Sequence, residues 1–193
     1  MEKIIHNIFT DWIPAGASVL DLGCGDGRLL ESLAADRGVK GVGVEIDEAQ
    51  VAVCLAKGLQ VVSADIESAA MEELFAPGSF DYVLLKNTLQ VISEPEKVLR
   101  EMLRIGRQSI CLFENASSFG NRLRFLLRGD LPTAENGEGP LAHLITVKGF
   151  SGTCARAGGR IVKSRYLTKD GLGVASSALN CHTAAYLLGR RDA

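Results

Sequence analysis

Residues 18–30 constrain this chain more than any other stretch. Val19-Leu20-Asp21-Leu22 reads as a buried strand carrying an acid near its end, Gly23-Cys24-Gly25-Asp26-Gly27 alternates three glycines with other residues, and Arg28-Leu29-Leu30 begins an apolar helix. A strand, a glycine turn and a helix in that order make a nucleotide-binding loop, because glycines let the backbone approach a ligand without a Cβ in the way.

Spacing and charge then narrow the ligand. A dinucleotide fingerprint runs G-x-G-x-x-G, whereas here the third glycine arrives one residue early, at Gly27, with Arg28 in the fingerprint position. A pyrophosphate would also rest on the N-terminus of the following helix, where free N–H groups and the dipole favour an anion. Asp26 is expected there as the N-cap, and Asp21 is expected to turn its carboxylate toward the same crevice. Two acids beside the loop repel phosphate. They suit a ligand with a cationic end and no phosphates, such as S-adenosylmethionine, whose ammonium and sulfonium are both positive. Gly23, Gly25 and Gly27 would line it, with Cys24 as a small side chain facing it.

The next strand adds a second anchor. Val39 to Val44 is a buried-strand pattern that ends at Glu45, about 20 residues past the loop, where an acid at a strand tip can accept both ribose hydroxyls. Asp47 caps the helix after it. A third strand, Leu59 to Val62, leads to Ser63-Ala64-Asp65-Ile66. There Asp65 either bonds an adenine amino group or caps the short helix that follows, while Ile46 and Ile66 would flank the ring.

At 193 residues the chain suits one domain, residues 1–193, with 47% apolar and 23% charged residues in ordinary globular proportion. A net charge of -2 exerts no general pull on nucleic acid. The first residues lack the apolar core and cleavage site of a signal peptide, and no apolar run reaches membrane-spanning length, so a cytoplasmic home with no membrane is expected. The five cysteines, Cys24, Cys54, Cys111, Cys154 and Cys181, are odd in number and scattered through apolar segments, which predicts reduced core thiols.

Along the chain, Ile4, Ile5, Ile8, Phe9 and Trp12 recur at helical spacing before Pro14 and Gly16 stop them. Helices are expected over 28–36 and 47–57, the second burying Val51, Cys54 and Leu55. Phe80 to Leu85 is a fourth strand whose carboxyl end delivers Lys86, Asn87, Thr88, Leu89 and Gln90 to the crevice outside the strand tips, with Leu85 and Lys86 expected beside the cofactor. Pro95 opens a helix that Gly106 ends, and Ser109 to Phe113 is strand five. Strands alternating with helices call for a doubly wound parallel sheet. Beyond Asn115, Phe119 to Arg128 carries an apolar stripe of Phe119, Leu123, Leu126 and Leu127, expected in the core or, alternatively, against a partner or lipid surface. Gly129 to Gly139 reads as a mobile lid, Thr146 to Ala157 as a helix, and Arg160 to Leu167 and His182 to Leu188 as strands six and seven.

These motifs resemble the class I S-adenosylmethionine-dependent methyltransferases and, more specifically, the MetW family associated with methionine biosynthesis. The likeness rests on Asp-Leu-Gly-Cys-Gly-Asp-Gly (Asp21 to Gly27), Gly-Val-Glu-Ile-Asp (Gly43 to Asp47), Phe-Asp-Tyr-Val (Phe80 to Val83), Thr-Leu-Gln (Thr88 to Gln90) and the Val98 to Arg107 helix, with Leu-Leu-Arg-Gly (Leu126 to Gly129) and His143-Leu beyond. It covers most of residues 17–132. The chain departs from the pattern at Lys86-Asn87, Glu114-Asn115 and Glu135 to Gly139. The resemblance implies a Rossmann-like, mostly parallel seven-stranded sheet with an antiparallel last strand. It also implies S-adenosylmethionine as cofactor, S-adenosylhomocysteine as product, and action alongside a homoserine O-acyltransferase. Residues 1–115 would hold the cofactor and residues 116–193 a substrate or partner.

Methyl transfer is an in-line displacement at an activated sulfonium, so the protein chiefly supplies alignment and desolvation. A base is needed when the acceptor must lose a proton, and His143 is the candidate because histidine titrates near neutrality. Lys86 and Glu114 at strand ends would meet an acidic or a basic acceptor or, alternatively, pair with each other. No Asn/Asp-Pro-Pro-aromatic run follows strand four, which disfavours DNA-base methylation, and no Cys-x-x-Cys or His-x-x-x-His spacing indicates a metal. Two readings stand: an enzyme that methylates a small molecule, and a cofactor-sensing regulatory subunit.

Overall fold

The protein is described by a computed structural model over residues 2–129, 143–169 and 179–191. The lid expected at residues 130–139 lies outside that range, as does most of the Gly/Ser-rich piece after strand six. Elements follow in the order α1 (Glu2–Trp12), β1 (Ser18–Leu22), α2 (Arg28–Arg37), β2 (Lys40–Glu45), α3 (Glu48–Ala56), β3 (Gln60–Ser63), α4 (Ala70–Leu74), β4 (Phe80–Lys86), α5 (Pro95–Ile105), β5 (Gly106–Glu114), α6 (Phe119–Arg128), α7 (Val147–Arg156), β6 (Gly159–Leu167) and β7 (Thr183–Arg190).

The strands join one seven-stranded sheet in the order β3-β2-β1-β4-β5-β7-β6. β1, β2, β3, β4 and β5 run parallel, and β7 pairs antiparallel with both β5 and β6. The chain winds outward from β1 to β3, then returns to place β4 on the other side of β1. Diverging connections leave a crevice at the carboxyl ends of β1 and β4.

Period-two alternation assigns each strand's side chains to two cores. Leu20, Leu22, Cys111 and Phe113 face α5 and α7, while Val19, Leu84, Ile110 and Leu112 face α1 and α2. On the first face Phe113, Phe150 and Tyr186 form an aromatic cluster with ring centroids 4.6–5.7 Å apart. On the second, Ile5, Ile8, Phe9 and Trp12 seat α1 as their spacing predicts. The five cysteines are free and buried.

Three expectations are corrected. Leu55 is 60% exposed, and Cys54 is the residue that α3 buries, because its nine residues lie over the thin edge formed by β2 and β3 and present one narrow stripe to the sheet. The stripe on α6 is not core: Phe119, Leu123, Leu126 and Leu127 are all exposed, and the helix buries no residue. At α2 the N-cap is Gly27, in the left-handed region at φ 75°, and not Asp26. A Cβ at Gly27 would lie 2.3 Å from Leu59 Cδ1 and 2.9 Å from Cys54 Sγ, so glycine is demanded by conformation and by space together.

Candidate functional site

Over the glycine turn lies a cavity of about 860 Å³ lined by Asp21, Gly23, Cys24, Gly25, Asp26, Lys86 and Asn87, and walled from above by Glu2, Lys3, Ile5 and His6 of α1. Backbone bonds hold the turn against β2: the amides of Gly23 and Cys24 both donate to the Val44 carbonyl. Thr88 packs against the turn, since a Cβ on Gly23 would meet its Oγ1 at 2.9 Å.

Asp21 is the electrostatic centre. It is 2% exposed, and its Oδ1 has no hydrogen-bond partner among the described residues. Burial raises its pKa to about 7, Lys86 pulls it back and Glu45 pushes it further up. A carboxylate in such surroundings is short of a positive partner. Asp26 differs, because it is already neutralised: Oδ2 lies 2.7 Å from Arg28 Nε, Oδ1 accepts from the Arg28 amide, and Lys57 donates to its carbonyl. The expected pair of acids therefore reduces to one unpaired acid, Asp21.

Glu45 stands at the tip of β2 as the sequence predicts. Its Oε2 accepts from the Gly25 amide at 2.8 Å, and Oε1 accepts from the amides of Ile46 at 2.9 Å and Asp47 at 3.0 Å. One carboxylate thus ties the glycine turn to the second strand, a tie that sequence spacing alone did not reveal. Asp47 caps α3 through the Ala49 amide. Beside it Ile46 is 66% exposed, an apolar side chain on the rim, while Ala64 and Ile66 pack partly against the core. The Asp65 carboxylate accepts from the Glu67 amide and closes a turn. Leu85 is fully buried and is not among the residues lining this cavity.

Cys24 is corrected in direction. Its thiol packs down on β2, where a Cβ at Gly43 would lie 2.4 Å from Sγ, and burial, with Asp21 and then Cys54 adding, pushes its pKa far up. A thiol so raised stays protonated near neutrality, and its place against Gly43 shapes the turn. Gly43 is glycine for that reason.

His143 donates through Nε2 to the Ser93 carbonyl, and its amide donates to the Gln90 carbonyl; it is not among the residues lining this cavity. The imidazole on the wall is that of His6, with Nε2 2.7 Å from Asp36 Oδ2 and Nδ1 3.2 Å from Ser32 Oγ. His6 was missed because its neighbours in sequence read as a plain amphipathic helix. Asn87 lines the cavity as its place after the fourth strand predicts, and it has φ 57°, the one positive φ outside glycine among the described residues, a backbone feature that is invisible in composition.

A doubly wound sheet with a glycine turn at its switch point and a buried acid in the crevice places this chain among the open α/β folds, which hold ligands outside the carboxyl ends of their strands. The comparisons agree on the fold. A solved S-adenosylmethionine-dependent methyltransferase from Thermotoga maritima, described as a possible histamine N-methyltransferase, superposes with a TM-score of 0.72 at 18% identity, covering 96% of this chain and 87% of that one. The model of the family described as "Methionine biosynthesis protein MetW" matches residues 4–187, and the chain belongs to that family. Among curated relatives, the bifunctional methionine biosynthesis protein MetXA/MetW of Rhodopirellula baltica is 35% identical over 130 residues, 63% of this chain and 20% of that protein. A ubiquinone biosynthesis O-methyltransferase of Hahella chejuensis is 37% identical over 101 residues, 51% of this chain and 42% of that protein. The chain therefore spans about a fifth of the first relative and less than half of the second.

Proposed function

We propose that the cavity over the glycine turn binds S-adenosylmethionine and that the chain transfers its methyl group to a small-molecule acceptor. The observation that carries this reading is Asp21, a buried carboxylate with a partnerless oxygen on the cavity wall, which fits a cationic group on the ligand. The rest of the residue set fits too. Gly23, Gly25 and Gly27 leave room for close approach, Glu45 retains acceptor capacity for ribose hydroxyls, and Ile46, Ala64, Asp65 and Ile66 lie along the adenine side. When bound, the cofactor supplies a methyl group on a positively charged sulfur. The side chain of Lys86 bounds the acceptor side, where it also tempers the Asp21 charge. His143 remains the proton acceptor proposed from sequence, and His6, held by Asp36, is a second imidazole placed on the wall itself.

Calorimetric titration with S-adenosylmethionine, S-adenosylhomocysteine and NAD tests the binding. The first two are expected to bind and NAD not to; tighter binding of NAD would overturn the reading. Formation of S-adenosylhomocysteine on adding cell extract tests turnover.

The relative in which a MetW-type segment shares one chain with MetXA favours a second role beside the first, as a cofactor-sensing subunit that partners a homoserine O-acyltransferase in methionine biosynthesis. In that division residues 1–115 hold the cofactor and residues 116–193 meet the substrate or partner.

Glu45→Ala is expected to weaken S-adenosylmethionine binding at least tenfold, since charge-assisted hydrogen bonds are worth about 1.5–3 kcal/mol each. It also releases three backbone amides, so Glu45→Gln, which keeps acceptor oxygen at the site, is expected to fall between the two. Unchanged affinity in folded Glu45→Ala would leave the carboxylate with a purely structural task.

A further inference from the structure

Helix α6 is held at its ends and open along its face. Ser118 caps it through the Asn121 amide, Asn121 Nδ2 donates to the Asn115 carbonyl at the end of β5, the Phe119 amide donates to the Leu179 carbonyl, and Gly129 closes it in the left-handed region. A ten-residue helix is marginal in water, so these ties and not burial of its stripe keep it ordered. Yet Phe119, Leu123, Leu126 and Leu127, which share one face, are 42–80% exposed. An apolar face presented on a pinned helix is preorganised for a protein surface.

We propose that this face of α6 docks the homoserine O-acyltransferase, an inference that rests on the partner role above. Charge separates this occupant from a second copy of the chain. The helix carries Arg122, Arg124 and Arg128 and no acid, so two copies face to face would gather six guanidinium groups around one apolar seam. A different protein with an apolar groove and an acidic rim fits the pattern, as helix-in-groove recognition does generally. The fused relative supplies the kind of partner, because most of that protein lies outside the part this chain matches.

The test uses the full-length chain with Leu126→Glu and Leu127→Glu together, and a purified homoserine O-acyltransferase from the same organism. Affinity by calorimetry is expected to fall roughly a hundredfold, as for two central anchors, with the melting temperature and sedimentation of the free chain unchanged. Equal acyltransferase binding by variant and wild type would overturn the docking face and leave the partner role standing. No binding by the wild type would overturn both. A melting temperature lowered by more than about 5 °C would mean that the chain's own residues cover the face, and loss of a wild-type dimer would assign it to a second copy; either overturns the proposal.

Discussion

At pH 8, Asp21→Asn is expected to be more stable than the parent chain and yet to bind S-adenosylmethionine about ten to a hundred times more weakly. Both effects come from one buried carboxylate. Its folded pKa, about 7, lies above the ordinary aspartate value of 3.8, so between those values the native state holds a proton that the unfolded state has released. Stability attributable to this group is therefore full below about pH 4, falls as pH rises toward 7 and stays reduced above it. Asparagine removes that pH-dependent penalty, by roughly 2–4 kcal/mol at pH 8. The ionised form is what attracts a cationic ligand, so wild-type affinity should drop about tenfold from pH 8 to pH 6, and the variant's should not. Denaturant titrations at pH 4 and pH 8, paired with calorimetry at pH 6 and pH 8, check each limb. If wild-type affinity is flat across that range, Asp21 does not face the cationic end.

Asn115→Ala should produce the largest loss of stability, about 3–5 kcal/mol by urea denaturation. Asn115 is fully buried where β5 ends. Its Nδ2 donates to the Cys181 carbonyl at 2.8 Å, while Oδ1 accepts from the amides of Ser117 and Val147 and from the Ser117 hydroxyl. One side chain thus joins the lead-in to α6, the first turn of α7 and the segment before β7. Alanine would strand several buried polar groups at about 1–3 kcal/mol each. Asn115→Asp keeps the acceptors, loses the donor to Cys181 and buries a charge, so it should also be destabilised. A loss below about 1 kcal/mol for Asn115→Ala would show that water replaces these bonds.

Residue order alone determined the winding of this protein. Alternating strands and helices, the glycine turn after β1 and the acid at Glu45 are local patterns, and local patterns survive in sequence because each rests on neighbours a few residues apart. The tertiary structure decided what depends on distant partners. Asp26 could be read as one of two unpaired acids beside the loop until Lys57 and Arg28 were seen to neutralise it, and the Cys24 side chain as facing the ligand until Gly43 was seen to receive its thiol. His6 joins the site through α1, which the chain leaves before the glycine turn begins. The apolar stripe of α6 gives the clearest division. Helical spacing predicts which residues share a face, but whether that face meets a core or solvent depends on what the rest of the fold places opposite it, and no spacing within ten residues encodes that.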